Sequence, residues 1–188
     1  ENIIWKDVRQ IKLNDLAGID VLIHLAGIAN DPFGELDPQS VFDPVREYTA
    51  RIASMCKDLN IRFIFASSCS IYGKAGDMII NEESTPNPVT PYSINKLQSE
   101  NDLAAISGQD FSPIALRLST LFGMSPRIRF DMAVNMFVGM AITQKKILLN
   151  SNGEQWRPFI HIMDVCKAFE KSIEMNYDGQ DLLVLNVG

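Results

Sequence analysis

The sequence predicts an α/β fold organised on a doubly wound parallel sheet. The stretch Asp20–Ala26 is near-continuously apolar, as strands buried on both faces of a parallel sheet are. A second apolar run, Phe63-Ile64-Phe65-Ala66, passes directly into Ser67-Ser68-Cys69-Ser70-Ile71-Tyr72-Gly73, a buried strand closed by small hydroxyl residues and glycine. Segments with helical patterning separate these runs, so strand and helix alternate along the chain.

Taken in order, Ile3-Ile4-Trp5 reads as the end of a strand and Asp7-Val8-Arg9 as the turn after it. Asn14 to Gly18 is a short helical or turn segment, and Asp20–Ala26 is the first central strand. The loop from Gly27 to Gln39, with Asn30-Asp31-Pro32, leaves the carboxyl end of that strand, where open α/β sheets place ligands. Ser40 or Asp43 is the expected cap of a helix to about Leu59, whose apolar face carries Val45, Tyr48, Ile52, Met55 and Cys56. After the strand Ile61–Ala66 and its serine turn, Asn81 to Pro91 is an extended loop, and Pro91 opens a helix to Ser107.

Phe111 to Leu118 is a further strand. Gly123 to Asp131 is basic and proline-broken, and Met132 to Thr143 is a methionine-rich helix, a pattern that more often fills a core than recognises a partner. Ile147-Leu148-Leu149 reads as a strand and Ser151-Asn152-Gly153-Glu154 as a hairpin-like turn. A helix from Met163 through Met175 carries Asp164 in its first turn, and Leu182–Val187 is the last parallel strand.

Composition narrows the function. At 188 residues and 46% hydrophobic the chain can bury one globular core. A net charge of -6 without a basic run argues against nucleic acid as a partner. No apolar stretch approaches membrane-spanning length, so no membrane partner is expected. Cys56, Cys69 and Cys166 cannot all pair and lack metal-ligand spacing, and His24 and His161 stand apart from other ligand candidates. A reducing cytoplasm and no metal site are the expectation.

Tyr92 and Lys96 are four residues apart on the helix after Pro91, hence on one face. A phenol of pKa about 10 is a poor base at neutral pH, and a nearby ammonium favours its ionised form. A serine hydroxyl from the strand end could hydrogen-bond the same substrate oxygen. Together the three would move a proton at an alcohol or sugar hydroxyl while hydride leaves or enters the carbon.

Other blocks occur in order with these: Lys6-Asp7-Val8-Arg9, Asp20-Val21-Leu22-Ile23-His24-Leu25-Ala26-Gly27, Leu116-Arg117 to Phe122-Gly123, Arg157-Pro158-Phe159-Ile160-His161-Ile162-Met163-Asp164-Val165 and Leu185-Asn186-Val187-Gly188. With the serine turn and Tyr92-x-x-x-Lys96, the chain resembles, nearly end to end, the extended short-chain dehydrogenase/reductase superfamily. Within it the likeness is to the NAD-dependent epimerase/dehydratase family of the UDP-glucose 4-epimerase type. The resemblance implies a Rossmann-like sheet and part of a small substrate-binding subdomain. Its division would be 1–121 for the nucleotide domain, 122–158 for the subdomain and 159–188 for the return to the sheet. It also implies a pyrophosphate-binding glycine turn, which does not occur in these residues; the expectation is a polypeptide with about fifty more residues upstream that carry it, a degenerate relative without the turn being the alternative. For the 188 residues alone, turnover is not expected.

By the same resemblance Ser68, Tyr92 and Lys96 are the catalytic residues. Asp7, Val8, Leu25, Ala26, Gly27, Ser67, Leu118 and Ser119 join Tyr92 and Lys96 in holding NAD, with NADP left open. Ser68, Ser70, Thr120, Asn135 and Arg157 contact a nucleotide sugar, and the implied assembly is a homodimer pairing through the helices around Val45 and Tyr92. The implied activity is epimerisation by transient oxidation of a sugar hydroxyl; a keto-sugar reductase or dehydrogenase, and a non-catalytic nucleotide binder, stand as alternatives. Some positions depart from the family. Val45 and Tyr48 replace a usual Asn and Gly, Leu118 and Thr120 replace an aromatic and an amide, and Arg157-Pro158-Phe159 replaces Arg-Asp-Phe. Cys69 and Ser70 stand where dehydratases tend to carry an acid, which argues against dehydration.

Overall fold

The computed structural model describes residues 3–28, 37–74, 76, 79–149, 151–154, 156–177 and 179–188. Four strands form one parallel sheet: β1 (Val21–His24), β2 (Arg62–Ser68), β3 (Ile114–Leu118) and the last strand, β6 (Leu183–Val187), in the order β1-β2-β3-β6. Register aligns His24 with Phe65, and Ser68 with Leu118, which in turn aligns with Val187. The carboxyl ends of β2, β3 and β6 therefore finish level with one another. Between β3 and β6 lie two short strands that the sequence did not announce, β4 (Thr120–Phe122) and β5 (Phe159–His161), which pair in parallel as a separate ribbon.

Alternation along β2 and β3 divides the core in two. Phe63, Phe65 and Ala115 point to one side, where they pack with Val45, Tyr48, Ile52, Ala53 and Leu103 of two helices. These are α1 (Pro38–Asp58) and α2 (Pro91–Ile106). Ile64, Ile114 and Leu116 point to the other side, against Ala168 and Phe169. Those two belong to α4 (Ile162–Glu174), which follows α3 (Ala133–Gln144) in the chain. The two central strands, β2 and β3, are thus covered on both faces, which is why they read as continuous apolar runs, while Ile23 on the outer strand β1 stays 36% exposed. Full burial of a phenylalanine such as Phe63 contributes about 1.5–3 kcal/mol.

The helix starts follow local chemistry. Asp37, not Ser40 or Asp43, caps α1, accepting the Ser40 N–H at 3.2 Å. Pro38 takes the first-turn position and Pro44 lies inside the helix. The start falls earlier than the expected Ser40 or Asp43 because Asp37-Pro38 supplies both a capping carboxylate and a first-turn proline. At α2, Thr90 accepts the Ser93 N–H at 3.2 Å while the Thr90 N–H donates to Ser93 Oγ at 3.0 Å. The pair closes a capping box directly ahead of Tyr92.

Two expected strands are not formed. Residues 3–7 precede a short 3-10 turn, Val8–Gln10, without pairing, and Trp5 is 94% exposed. Ile147, Leu148 and Leu149 are half exposed and unpaired, so the turn 151–154 joins no hairpin. An apolar triplet becomes a strand only where a neighbouring backbone accepts its hydrogen bonds. The loop segment Asn30-Asp31-Pro32 lies outside the described residues. Among the described residues, no helix is long and apolar enough to cross a membrane, and no group of three or more His, Cys, Asp or Glu could hold a metal.

Candidate active site at the carboxyl ends of the strands

Most of the residues singled out in the sequence lie at or just beyond one edge of the sheet. Leu25, Ala26 and Gly27 continue from the end of β1; Leu25 is 65% exposed, and a Cβ on Gly27 would stand 3.8 Å from Val45. Ser67 and Ser68 end β2, and a 3-10 turn, Cys69–Tyr72, follows them. Ser68 Oγ lies 2.9 Å from Ser70 Oγ and accepts the Ser70 N–H at 3.2 Å, so the turn is fastened by its own hydroxyls. Leu118 ends β3. Beyond it the Ser119 N–H donates to Val187 at 2.9 Å, whereas the Thr120 N–H donates to Pro158 at 3.1 Å. Successive residues thereby hand the chain from the main sheet to the β4–β5 ribbon.

Helix α2 brings Tyr92 and Lys96 to this edge. Lys96 is buried, and its Nζ donates to the Ala66 carbonyl at 2.6 Å, two residues before Ser68 on the same strand. The ammonium also lies 4.6 Å from the centre of the Phe65 ring and 5.7 Å from that of Tyr92. Both contacts are favourable for a cation over an aromatic face. Burial lowers the Lys96 pKa from 10.5 to about 8, against the attraction of the Glu100 carboxylate. At neutral pH Lys96 remains a cation. Tyr92 is half-buried, its ring 6.4 Å from that of Phe42 on α1.

The remaining candidates are placed less uniformly. Asp7 caps the Val8–Gln10 turn and pairs with Arg9, and the resulting hydrogen bonds hold its carboxyl down at about 2. The Arg51 guanidinium ties the Val8 and Ile11 carbonyls to α1. Asn135 accepts the Gly123 N–H and donates to the Arg129 carbonyl, each at 3.1 Å, so its amide clasps the loop ahead of α3. Beside it an apolar cavity of about 370 Å³ is walled by Phe122, Phe130, Val134 and His161. Arg157 is exposed just before β5, and its charge is felt at Cys69. Burial raises the Cys69 thiol pKa despite Ser119 and Arg157, so this cysteine is not poised as a thiolate.

A buried network behind the site was not legible as such. Glu100, 3% exposed, accepts Ser67 Oγ–H at 2.5 Å and Arg117 Nη2–H at 2.6 Å. Arg117 Nη1 donates to Tyr72 Oη at 2.6 Å, and that hydroxyl donates to Asn186 Oδ1 at 2.8 Å. Glu100 stands four residues beyond Lys96, the same step that separates Lys96 from Tyr92, and extending that step once more would have found it. His24 is a second such group: buried, hydrogen-bonded to Thr49 Oγ1 at 3.0 Å and stacked on Phe63 and Phe65.

Comparison with known proteins agrees with this geometry. The chain is 32% identical over 175 residues to an uncharacterized UDP-glucose epimerase, YtcB, of Bacillus subtilis, covering 89% of this chain and 52% of YtcB. It superposes on MoeE5 in complex with UDP-glucuronic acid and NAD with a TM-score of 0.85 at 26% identity, over 98% of this chain and 62% of MoeE5. On a UDP-N-acetylglucosamine 4-epimerase from Methanobrevibacter ruminantium in complex with UDP-N-acetylmuramic acid the TM-score is 0.83 at 27% identity, covering 98% and 60%. The chain thus spans about half to three fifths of the length of these proteins. Residues 4–188 match the NAD dependent epimerase/dehydratase family from near the first described residue to the last, and the chain belongs to that family.

Proposed function

We propose that the protein is an NAD-dependent nucleotide-sugar epimerase in which Tyr92 is the base, Lys96 holds it in readiness and Ser68 orients the reacting hydroxyl. The observation that carries this reading is the seat of Lys96. A buried ammonium is fixed on the end of β2, near the ring of the tyrosine one helical turn before it and two residues from the serine. A positive charge so placed favours the phenolate, and a phenolate beside a serine hydroxyl can take a proton from a sugar alcohol.

The donor set fits a dinucleotide. Lys96 Nζ spends one of its three N–H donors on Ala66, which leaves donors for ribose hydroxyls. Leu25, Ala26, Gly27, Ser67, Leu118 and Ser119 stand at or beyond strand ends where such a ligand lies; Asp7 and Val8 would flank its adenosine side. NAD, when bound, would supply the acceptor and later the donor of hydride. On the sugar side Ser70 and Thr120 would line the reacting ring. Asn135 would meet the diphosphate, and Arg157, with its guanidinium fork, would pair with phosphate oxygens. The reading includes the division 1–121, 122–158 and 159–188. It also includes a homodimer pairing through α1 and α2, and a cytoplasmic setting that suits three unpaired cysteines.

Incubation with UDP-glucose and NAD tests the reading. Interconversion of the sugar by NMR, without build-up of reduced nicotinamide and lost in Tyr92→Phe with cofactor binding retained, is the expected result. One reduced nicotinamide per product would make the protein a dehydrogenase. Binding without conversion would make it a non-catalytic relative, and unimpaired turnover in Tyr92→Phe would remove the base assignment.

A further inference from the structure

Tyr92, Lys96 and Glu100 succeed one another at four-residue steps and so share one face of α2, the face turned to β2. Two of them grip adjacent residues of that strand: Lys96 Nζ takes the Ala66 carbonyl and the Glu100 carboxylate takes the Ser67 hydroxyl. Glu100 is itself clamped by Arg117 of β3, whose Nε and Nη2 reach the carboxylate at 2.6–3.2 Å. Arg117 in turn holds Tyr72, at the end of the serine turn.

Charge gives this clamp a second effect. A buried lysine sheds its proton unless an anion is near. Among the described residues, the titratable and charged groups that bear on Lys96 are Tyr92 and Glu100 from α2 and neutral His24 from β1, with Arg117 of β3 paired to Glu100. Glu100 is the anion among them. A surface ion pair would add little here, but Glu100 and Arg117 are both almost wholly buried, where fields are weakly screened.

We propose that Glu100, clamped by Arg117 and Ser67, is a positioning residue for Lys96, keeping its ammonium charged and seated on the end of β2. The proposal rests on the reading of Lys96 as the group that readies Tyr92, but its test does not depend on turnover.

The test follows the Lys96 side chain through its titration by 13C NMR of lysine Cε in the full polypeptide, the signal being assigned by its loss in Lys96→Met. In the wild type the midpoint falls near 8. In Glu100→Gln it drops by about one unit, because the attracting charge is gone while burial stays, and in Glu100→Asp it remains near the wild-type value. A carboxylate that served packing alone would act oppositely. Its loss would let water in and raise the midpoint toward the ordinary lysine value of about 10.4. An unchanged or raised midpoint in Glu100→Gln therefore overturns the proposal. Where that variant does not fold, Glu100→Gln/Arg117→Met, which leaves neither charge unpaired, should still lower the midpoint, though by less because the repulsion of Arg117 goes with it, and a raised midpoint there overturns the proposal. The alkaline limb of kcat/KM should move with the midpoint. A midpoint that falls while the limb stays put leaves the hold of Glu100 on Lys96 standing and removes Lys96 from the chemistry.

Discussion

His24 makes the stability of the fold depend on pH in a calculable way. The ring is 4% exposed, stacked between 5.6 and 6.2 Å from Phe63 and Phe65, and faces Tyr48 edge-on. Thr49 Oγ1 spends its proton on the Val45 carbonyl at 2.7 Å, so it accepts from His24 and fixes Nε2 as the protonated nitrogen of a neutral ring. Burial, aided by the Lys96 charge, lowers the His24 pKa from 6.5 to about 4. Above pH 6.5 the ring is neutral in folded and unfolded chains alike. As pH falls from 6.5 to about 4 the unfolded chain gains a proton that the folded chain refuses, so stability falls. The gap corresponds to about 3 kcal/mol, lost by the time pH reaches 4. Lys96 is protonated in both states across this window and adds no slope. Urea unfolding of wild type and His24→Gln from pH 7 to 4 isolates the effect, because the glutamine keeps an N–H donor for Thr49 without titrating. The wild type should lose about 3 kcal/mol more than the variant over that range. Parallel curves would refute the argument.

Two further substitutions test the site's construction. Lys96→Met removes a group whose pKa is depressed from 10.5 to about 8, a cost of about 3 kcal/mol at neutral pH. Part returns through the lost Ala66 hydrogen bond and ring contacts, so thermal unfolding should move up by about 2–4 °C while turnover disappears; a lowered Tm would contradict the burial cost. Gly73→Ala places a Cβ 2.0 Å from the Asn87 carbonyl oxygen at a backbone φ of +66°. The loop ahead of Tyr92 would be pushed off the serine turn, at a cost of about 2–4 kcal/mol and a Tm fall of about 5–10 °C, and an unchanged melting curve would show that the close approach is not needed.

The parts legible in the sequence are those whose cause is local. Phe63-Ile64-Phe65-Ala66 had to be buried on both sides, and Pro91 behind Thr90 had to begin a helix, so the strand, the turn and the placement of Tyr92 and Lys96 followed. The β4–β5 ribbon was not legible because it joins Thr120 to Phe159 across thirty-nine residues, and neither triplet has a pattern of its own. Ile147-Leu148-Leu149 looked more like a strand than either, yet it has no backbone to pair with among the described residues. Glu100 drew no notice in the sequence and Arg117 only as part of a motif, because a buried ion pair shows only once two elements meet. The roles of Asn135 and Arg157 rest on family likeness, since their surroundings here are a loop clasp and an exposed segment ahead of β5.

The most direct measurement of the central claim is a crystal structure of the full polypeptide with NAD and UDP-glucose bound. One sugar hydroxyl should lie within about 3 Å of both Tyr92 Oη and Ser68 Oγ, with Lys96 Nζ on the nicotinamide ribose. A sugar whose hydroxyls meet neither side chain, or a dinucleotide bound away from the ends of β1, β2 and β3, would contradict it.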